Sequence, residues 1–228
     1  MKSVREAVNR VAREHSFRMI RETDASPELI AHLNEISAEW RGDNEERGFT
    51  MELAREVDGT EPDFLLCLCL DDDERPVGFL RLVPCYGDDP GYSLDLMRRK
   101  PDAPNGLTEY LIANAALTLG ERGFRRLSMN FAAWGRLFDT ERPLGPMEKV
   151  QRSIASALNP YFQIESLRNF NQKFQPDWLP RSIAIEDTTQ APRVGLLYAS
   201  VEGFVDVPVL DRFLAPSAAE SVEREGKA

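Results

Sequence analysis

The chain has 228 residues, 42% hydrophobic and 29% charged, which excludes a chain disordered throughout, a collagen and a disulfide-dense miniprotein. With 28 basic against 38 acidic side chains its net charge is −10, which argues against broad binding to nucleic acid or to anionic membranes. No window approaches the ~18 uncharged apolar residues a membrane helix needs, and the N-terminal MKSVREAVNR is too charged for a signal peptide, so the chain reads as cytosolic or as the cytosolic part of something larger.

In chain order, residues 3–14 suit a short amphipathic helix, with Val4, Ala7, Val8 and Val11 on one face. Phe17–Arg21 alternates like a half-buried strand. Ser26-Pro27 is a helix start, Ser as N-cap and Pro in the first turn, and Leu29, Ile30, Leu33, Ile36 and Trp40 follow at helical spacing. Phe64–Leu70 and Val77–Pro84 form a hairpin pattern, and Tyr92–Met97 is a third strand after the turn at Gly87–Gly91. Asn105-Gly106 opens a helix to about Arg122, and Arg125–Ala132 is a fourth strand. Helices are predicted over Pro146–Leu158 and Ser166–Lys173, and late strands over Ser182–Glu186 and Val194–Ser200. Residues 211–228 are small and charged and read as a disordered tail.

Short connectors make the middle strands antiparallel, whereas the strand–long helix–strand unit from Tyr92 to Ala132 needs a crossover and a parallel or splayed pair. The expected class is α/β, a mixed sheet with helices on both faces, the layout of GCN5-related acyltransferases. Cys67 and Cys69 share a strand face as buried thiols. Neither His15 nor His32 has a metal-ligand spacing, so no metal site is expected.

Charge is uneven. Gly91–Ser182 carries a balance of +4 and the remainder −14, so the basic residues gather where the polar motifs lie. Ser93–Arg99 (SLDLMRR) places Ser93 and Asp95 on one strand face and Leu94 and Leu96 on the other, with Arg98 and Arg99 suited to hold a phosphate or carboxylate. A strand-edge Asp–Arg salt bridge explains the same residues equally well. Pro104-Asn105-Gly106 precedes a helix whose free N–H groups attract anions, without the Gly-rich pyrophosphate loop of coenzyme A enzymes. Glu109 in the first helical turn is either a ligand for ammonium or plain dipole electrostatics. Asn130, between Met129 and Phe131, is a structural hydrogen-bond hub or a substrate contact. A second polar cluster holds Glu165, Arg168, Asn169, Lys173 and Arg181, and Phe170, Phe174 and Trp178 beside it read mainly as core.

Taken with Arg47–Met51 (RGFTM), Pro104–Leu107 (PNGL), Leu127–Ala132 (LSMNFA), Phe162–Leu167 (FQIESL), Asn171–Trp178 (NQKFQPDW) and Pro180-Arg181, these segments resemble the C-terminal catalytic domain of the phosphatidylglycerol lysyltransferases. The form fused to a lysyl-tRNA synthetase is especially similar. The motifs run in order over roughly residues 4–205, and the family's tandem catalytic region is matched mainly in its second half, taken as a domain over 1–210.

The resemblance implies transfer of an aminoacyl group, lysyl foremost, from aminoacyl-tRNA to a hydroxyl of phosphatidylglycerol, with no cofactor. It implies partners in a membrane or synthetase domain and work in the cytoplasm at the inner membrane face. It selects Asp95, Arg98 and Lys173 as catalytic and Arg99, Asn105, Glu109, Asn130, Glu165 and Arg181 as substrate-binding. A soluble acceptor, an ordinary acyl-coenzyme A transferase and a non-catalytic tRNA-binding half-domain are the competing readings.

Overall fold

Alternating apolar segments build a five-stranded sheet in the order β1 (Ser16–Arg21), β2 (Leu65–Leu70), β3 (Pro76–Cys85), β4 (Gly91–Arg99) and β5 (Arg126–Ser128). The computed structural model describes residues 2–42, 56–130, 135–138, 164–180, 184–190, 193–195, 197 and scattered positions between 143 and 156. The chain divides into two compact units, Met1–Asn44 with Met51–Pro180 and Glu45–Thr50 with Arg181–Ala228, and the sheet lies in the first. The expected domain boundary near residue 210 and the tail lie outside the described residues.

Strands β1 to β4 pair antiparallel, and β4 pairs β5 in parallel across the helix α3 (Leu107–Glu121), as the connector lengths require. Helices cover both faces. Helix α1 (Lys2–Val11) and α3 share one core with Cys67, Cys69, Leu80, Leu82 and Tyr92. Helix α2 (Pro27–Arg41) buries Leu33 and Ile36 on the opposite face against Leu66, Leu68, Phe79 and Leu96. It starts where expected, because the Ser26 hydroxyl accepts the Leu29 N–H at 3.2 Å and Pro27 needs no hydrogen-bond partner. Both faces of β2 are covered, which explains its unbroken apolar run. Each fully buried leucine there contributes ~1.5–3 kcal/mol.

Burial pushes the Cys67 and Cys69 thiols from 9.0 to about 12. Unfolded thiols ionise near their ordinary value, so between about pH 9 and 12 only the unfolded chain releases these protons, and stability falls as pH rises. The denaturation midpoint should therefore drop between pH 8 and pH 10. In the native protein iodoacetamide should reach half-buried Cys85 and spare the other two.

Three expectations change. Strand β5 stops at Ser128, because Asn130 takes a left-handed φ of 64° that leaves the extended region. The late strands do not form among the described residues. In the second unit residues 184–187 are irregular, Thr188–Gln190 is a 3-10 turn whose Thr189 N–H is accepted by Asp187, and the described residues of 193–197 are helical. Such short apolar runs carry no periodicity to separate strand from helix. The described positions between 146 and 156 are helical, and α4 (Ile164–Gln172) forms near its expected place.

Candidate active site

The strict face alternation expected along β4 fails at Asp95. Opposite it on β3, Leu82 pairs with Leu94 and Arg81 with Leu96, leaving Asp95 as the extra residue of a β-bulge. Leu94 consequently packs on the α3 face and Leu96 on the α2 face, although two positions apart. The bulge turns Asp95 and Arg98 toward the α2 side, where Arg98 stacks its guanidinium 4.2 Å from the Trp40 ring centre.

Asp95 there meets a buried cation. Arg81 is fully enclosed within β3 and grips Glu22 through two bonds, Nε to Oε2 at 2.7 Å and Nη2 to Oε1 at 3.0 Å. Its remaining arm donates from Nη1 to Oδ2 of Asp95 at 3.1 Å. Glu22 also accepts the Gly59 N–H at 3.2 Å, and the Arg81 guanidinium lies 4.6 Å from the Phe64 ring centre. Burial works against the Arg81 charge, but the two carboxylates outweigh it and raise its pKa. Two acids thus share one base in a dry setting. Neither Glu22 nor Arg81 stood out in the sequence reading. The signal was present: Arg81 is a lone charge inside the apolar run VGFLRLVP, and a charge buried in a strand requires a partner.

On its other edge β4 is paired over only part of its length among the described residues. It pairs with β5 only from Gly91 to Ser93, at an approach so close that a Cβ on Gly91 would run into the Arg126 carbonyl oxygen. Beyond Ser93 no strand lies beside β4 among the described residues, so its backbone from Leu94 to Arg99 borders a splay. Asn130 stands at the mouth of that splay. Its N–H is accepted by the Ser128 hydroxyl at 3.1 Å, and its Nδ2 donates to the Leu94 carbonyl at 3.1 Å. An open strand edge offers backbone N–H groups to a ligand carbonyl.

Across the sheet, on the α3 side, Glu109 accepts from Lys173 Nζ at 2.8 Å, and that ammonium also lies 5.2 Å from the Phe170 ring centre. Phe170 and Phe174 pack edge to face against the core, as expected for core aromatics. Arg99 points to this side, its Nη1 3.5 Å from the Ala103 carbonyl. The Asn105 side chain is exposed, and the Asn105 backbone carbonyl accepts from Arg10 of α1 at 2.8 Å and 3.1 Å.

The structure thus brings Asp95 and Arg98 to one face of β4, Glu109, Lys173 and Arg99 to the other, and Asn130 to the splay between β4 and β5. The side chain of Glu165 and all of Arg181 lie outside the described residues. No cluster of three metal-ligating side chains occurs among the described residues.

Since the Glu109–Lys173 pair is half in solvent, it contributes only ~0–1 kcal/mol to folding. Lys173→Ala should therefore leave the melting temperature within about 4 °C of wild type. Differential scanning calorimetry checks this, and if Lys173 serves the chemistry, activity falls while the melting temperature holds.

The family model described as phosphatidylglycerol lysyltransferase, C-terminal, matches residues 1–185. The chain belongs to this family. A bifunctional protein of Rhodococcus opacus named for lysylphosphatidylglycerol biosynthesis, LysX, is 37% identical over 229 residues, which is 99% of this chain and 20% of the relative. The Mycobacterium avium protein of the same name is 39% identical over 211 residues, 91% of this chain and 18% of its own. The chain spans about a fifth of the length of these curated relatives. The solved structure of L-PGS from Bacillus licheniformis superposes with a TM-score of 0.71 at 23% identity, covering 88% of this chain and 59% of that one, a likeness of fold. Within this lysyltransferase family member, the bulge, the splay and the two ionic clusters are the features on which chemistry can be built.

Proposed function

We propose that the chain transfers an aminoacyl group, lysyl foremost, from aminoacyl-tRNA to a glycerol hydroxyl of phosphatidylglycerol at the inner face of the membrane. The observation that carries this reading is the lysyltransferase match over residues 1–185. The relatives' names, which speak of lysylphosphatidylglycerol biosynthesis, support a lysyl group and phosphatidylglycerol as the parts joined. No helix among the described residues is long and apolar enough to cross a membrane.

The reaction is an ester exchange. The acceptor hydroxyl attacks the aminoacyl carbonyl, its proton leaves, and the ribose hydroxyl of the tRNA terminus departs with a proton. A hydroxyl is a weak nucleophile, and a positioned base contributes ~10²–10⁴-fold. Asp95, held at the bulge, takes that role. Arg98 binds the acceptor phosphate, with Arg99 on the tRNA terminus. Lys173, held by Glu109 on the α3 face and so across the sheet from Asp95, meets a phosphate of the tRNA. Asn130 and the edge of β4 fix the carbonyl. Glu165 takes the donor's ammonium and Arg181 a phosphate.

The test supplies the chain with a mixed pool of radiolabelled aminoacyl-tRNAs and a total lipid extract and separates the products. Label from lysyl-tRNA in an aminoacylated phosphatidylglycerol fraction supports the reading. Lipid free of label with every donor defeats it.

A further inference from the structure

Arg98 takes the acceptor phosphate in the reading above, yet only 4% of its surface is exposed. Part of its cover is a single ring. The Trp40 indole centre lies 4.2 Å from the guanidinium, and Trp40 is itself 49% exposed, with water on one side and a cation on the other. Trp40 continues the sheet-facing stripe of Leu33, Ile36 and Ser37, but it stands in the last turn of α2, just before Gly42 ends the helix at a left-handed φ of 56°. The end of a helix is its least constrained part. A ring half in water can leave its place there without opening the core.

One turn before Trp40, Ser37 is 3% exposed, and its hydroxyl has no hydrogen-bond partner among the described residues. Residues three apart on a helix stand ~5–6 Å apart, so this hydroxyl lies at the foot of the same indole. A buried hydroxyl without a partner weakens the fold, and a ligand that supplies the partner offsets the loss.

We infer that Ser37 completes, with Arg98, the subsite for the phosphodiester of the acceptor, and that Trp40 is the movable cover of that subsite. The arriving phosphate displaces the indole. The guanidinium exchanges a ring face for anionic oxygens, the stronger partner, and the Ser37 hydroxyl donates to one of those oxygens. The open state is thus favoured only with the phosphate present. This inference deepens the aminoacyl-transfer reading and rests on it. Asp95 lies on the same side of β4, three residues or ~10 Å of strand before Arg98. Two side chains and a glycerol between them bridge that span, and in phosphatidylglycerol the phosphate and the attacking hydroxyl belong to one headgroup. That favours the lipid over the tRNA, whose phosphates fall to Lys173 across the sheet.

The experiment measures steady-state transfer from lysyl-tRNA to dihexanoylphosphatidylglycerol, a soluble acceptor that takes membrane docking out of KM. Wild type, Ser37→Ala and Trp40→Ala are compared, each with its melting temperature in the absence of lipid. Ser37→Ala should raise KM for the acceptor about 10- to 100-fold, the worth of a hydrogen bond to a charged group. Its KM for lysyl-tRNA should stay within about twofold, and its melting temperature should hold or rise, since no bond is lost. Trp40→Ala should lower KM for the acceptor about two- to fivefold, the scale of one exposed cation–π contact. A merely structural Ser37 predicts the reverse, a lower melting temperature with an unmoved acceptor KM. That result overturns the inference, as does a rise in KM for the tRNA instead of the acceptor, or a Trp40→Ala whose acceptor KM rises or holds. Wild type still transfers in each of those cases, so the functional reading survives them. Wild type that transfers nothing overturns that reading, and this inference with it.

Discussion

Replacing Asp95 by Asn is expected to lower single-turnover transfer by ~10²–10⁴-fold, the contribution of a positioned base, while the protein stays folded. The second half of that result follows from the charge count around Arg81. With the wild-type residue, one guanidinium serves two carboxylates. In Asp95→Asn it serves only Glu22, to which it already makes its two best bonds, and the amide oxygen still accepts from Nη1. The melting temperature should shift by no more than about 4 °C, the size of ~1 kcal/mol in a chain of this length. Thermal unfolding and a vesicle transfer assay on the same preparation separate the two effects. Equal turnover by wild type and Asp95→Asn would remove Asp95 from the chemistry.

Arg81→Met is expected to be among the most destabilising single substitutions in the chain. It removes the guanidinium that Glu22 and Asp95 share, and both carboxylates are almost fully buried. Breaking a buried ion pair by removing one partner costs ~3–5 kcal/mol, which at ~2–4 °C per kcal/mol lowers the melting temperature by ~6–20 °C. Combining it with Glu22→Gln removes one of the stranded charges and should recover part of the loss. The double variant would then be more stable than the sum of the single effects predicts, a coupling readable in a double-mutant cycle. Additive effects would mean that Arg81 and Glu22 act independently, against the 2.7 Å and 3.0 Å bonds between them.

Elements whose pattern is local were legible. The amphipathic α1, the Ser26-Pro27 start of α2, the hairpin of β2 and β3 and the long α3 all follow from spacing, caps and turn residues. The antiparallel-then-parallel order followed from connector lengths. The bulge was not legible, because two residues on one strand opposing one on the next is a property of register, set by the partner strand and invisible in SLDLMRR alone. For the same reason Glu22 was missed as the partner of Arg81, 59 positions away in sequence. Arg81 itself announced a buried charge by its apolar neighbours. The pairing of Glu109 with Lys173 shows how a residue chosen for binding ammonium meets one within its own chain. Where sequence reasoning selected Asp95 and Arg98 from a motif, only the structure separates them from Glu109 and Lys173 by a sheet.

At the centre of this account stands a carboxylate at the β4 bulge that helps a lipid hydroxyl take an aminoacyl group from tRNA. The most direct measurement is rapid-quench single turnover with lysyl-tRNA labelled in the lysine and vesicles of pure phosphatidylglycerol, run for wild type and Asp95→Asn. The account predicts label entering the lipid with wild type and almost none with Asp95→Asn on the same time scale. Label appearing only as free lysine, or entering lipid equally fast with both proteins, would contradict it.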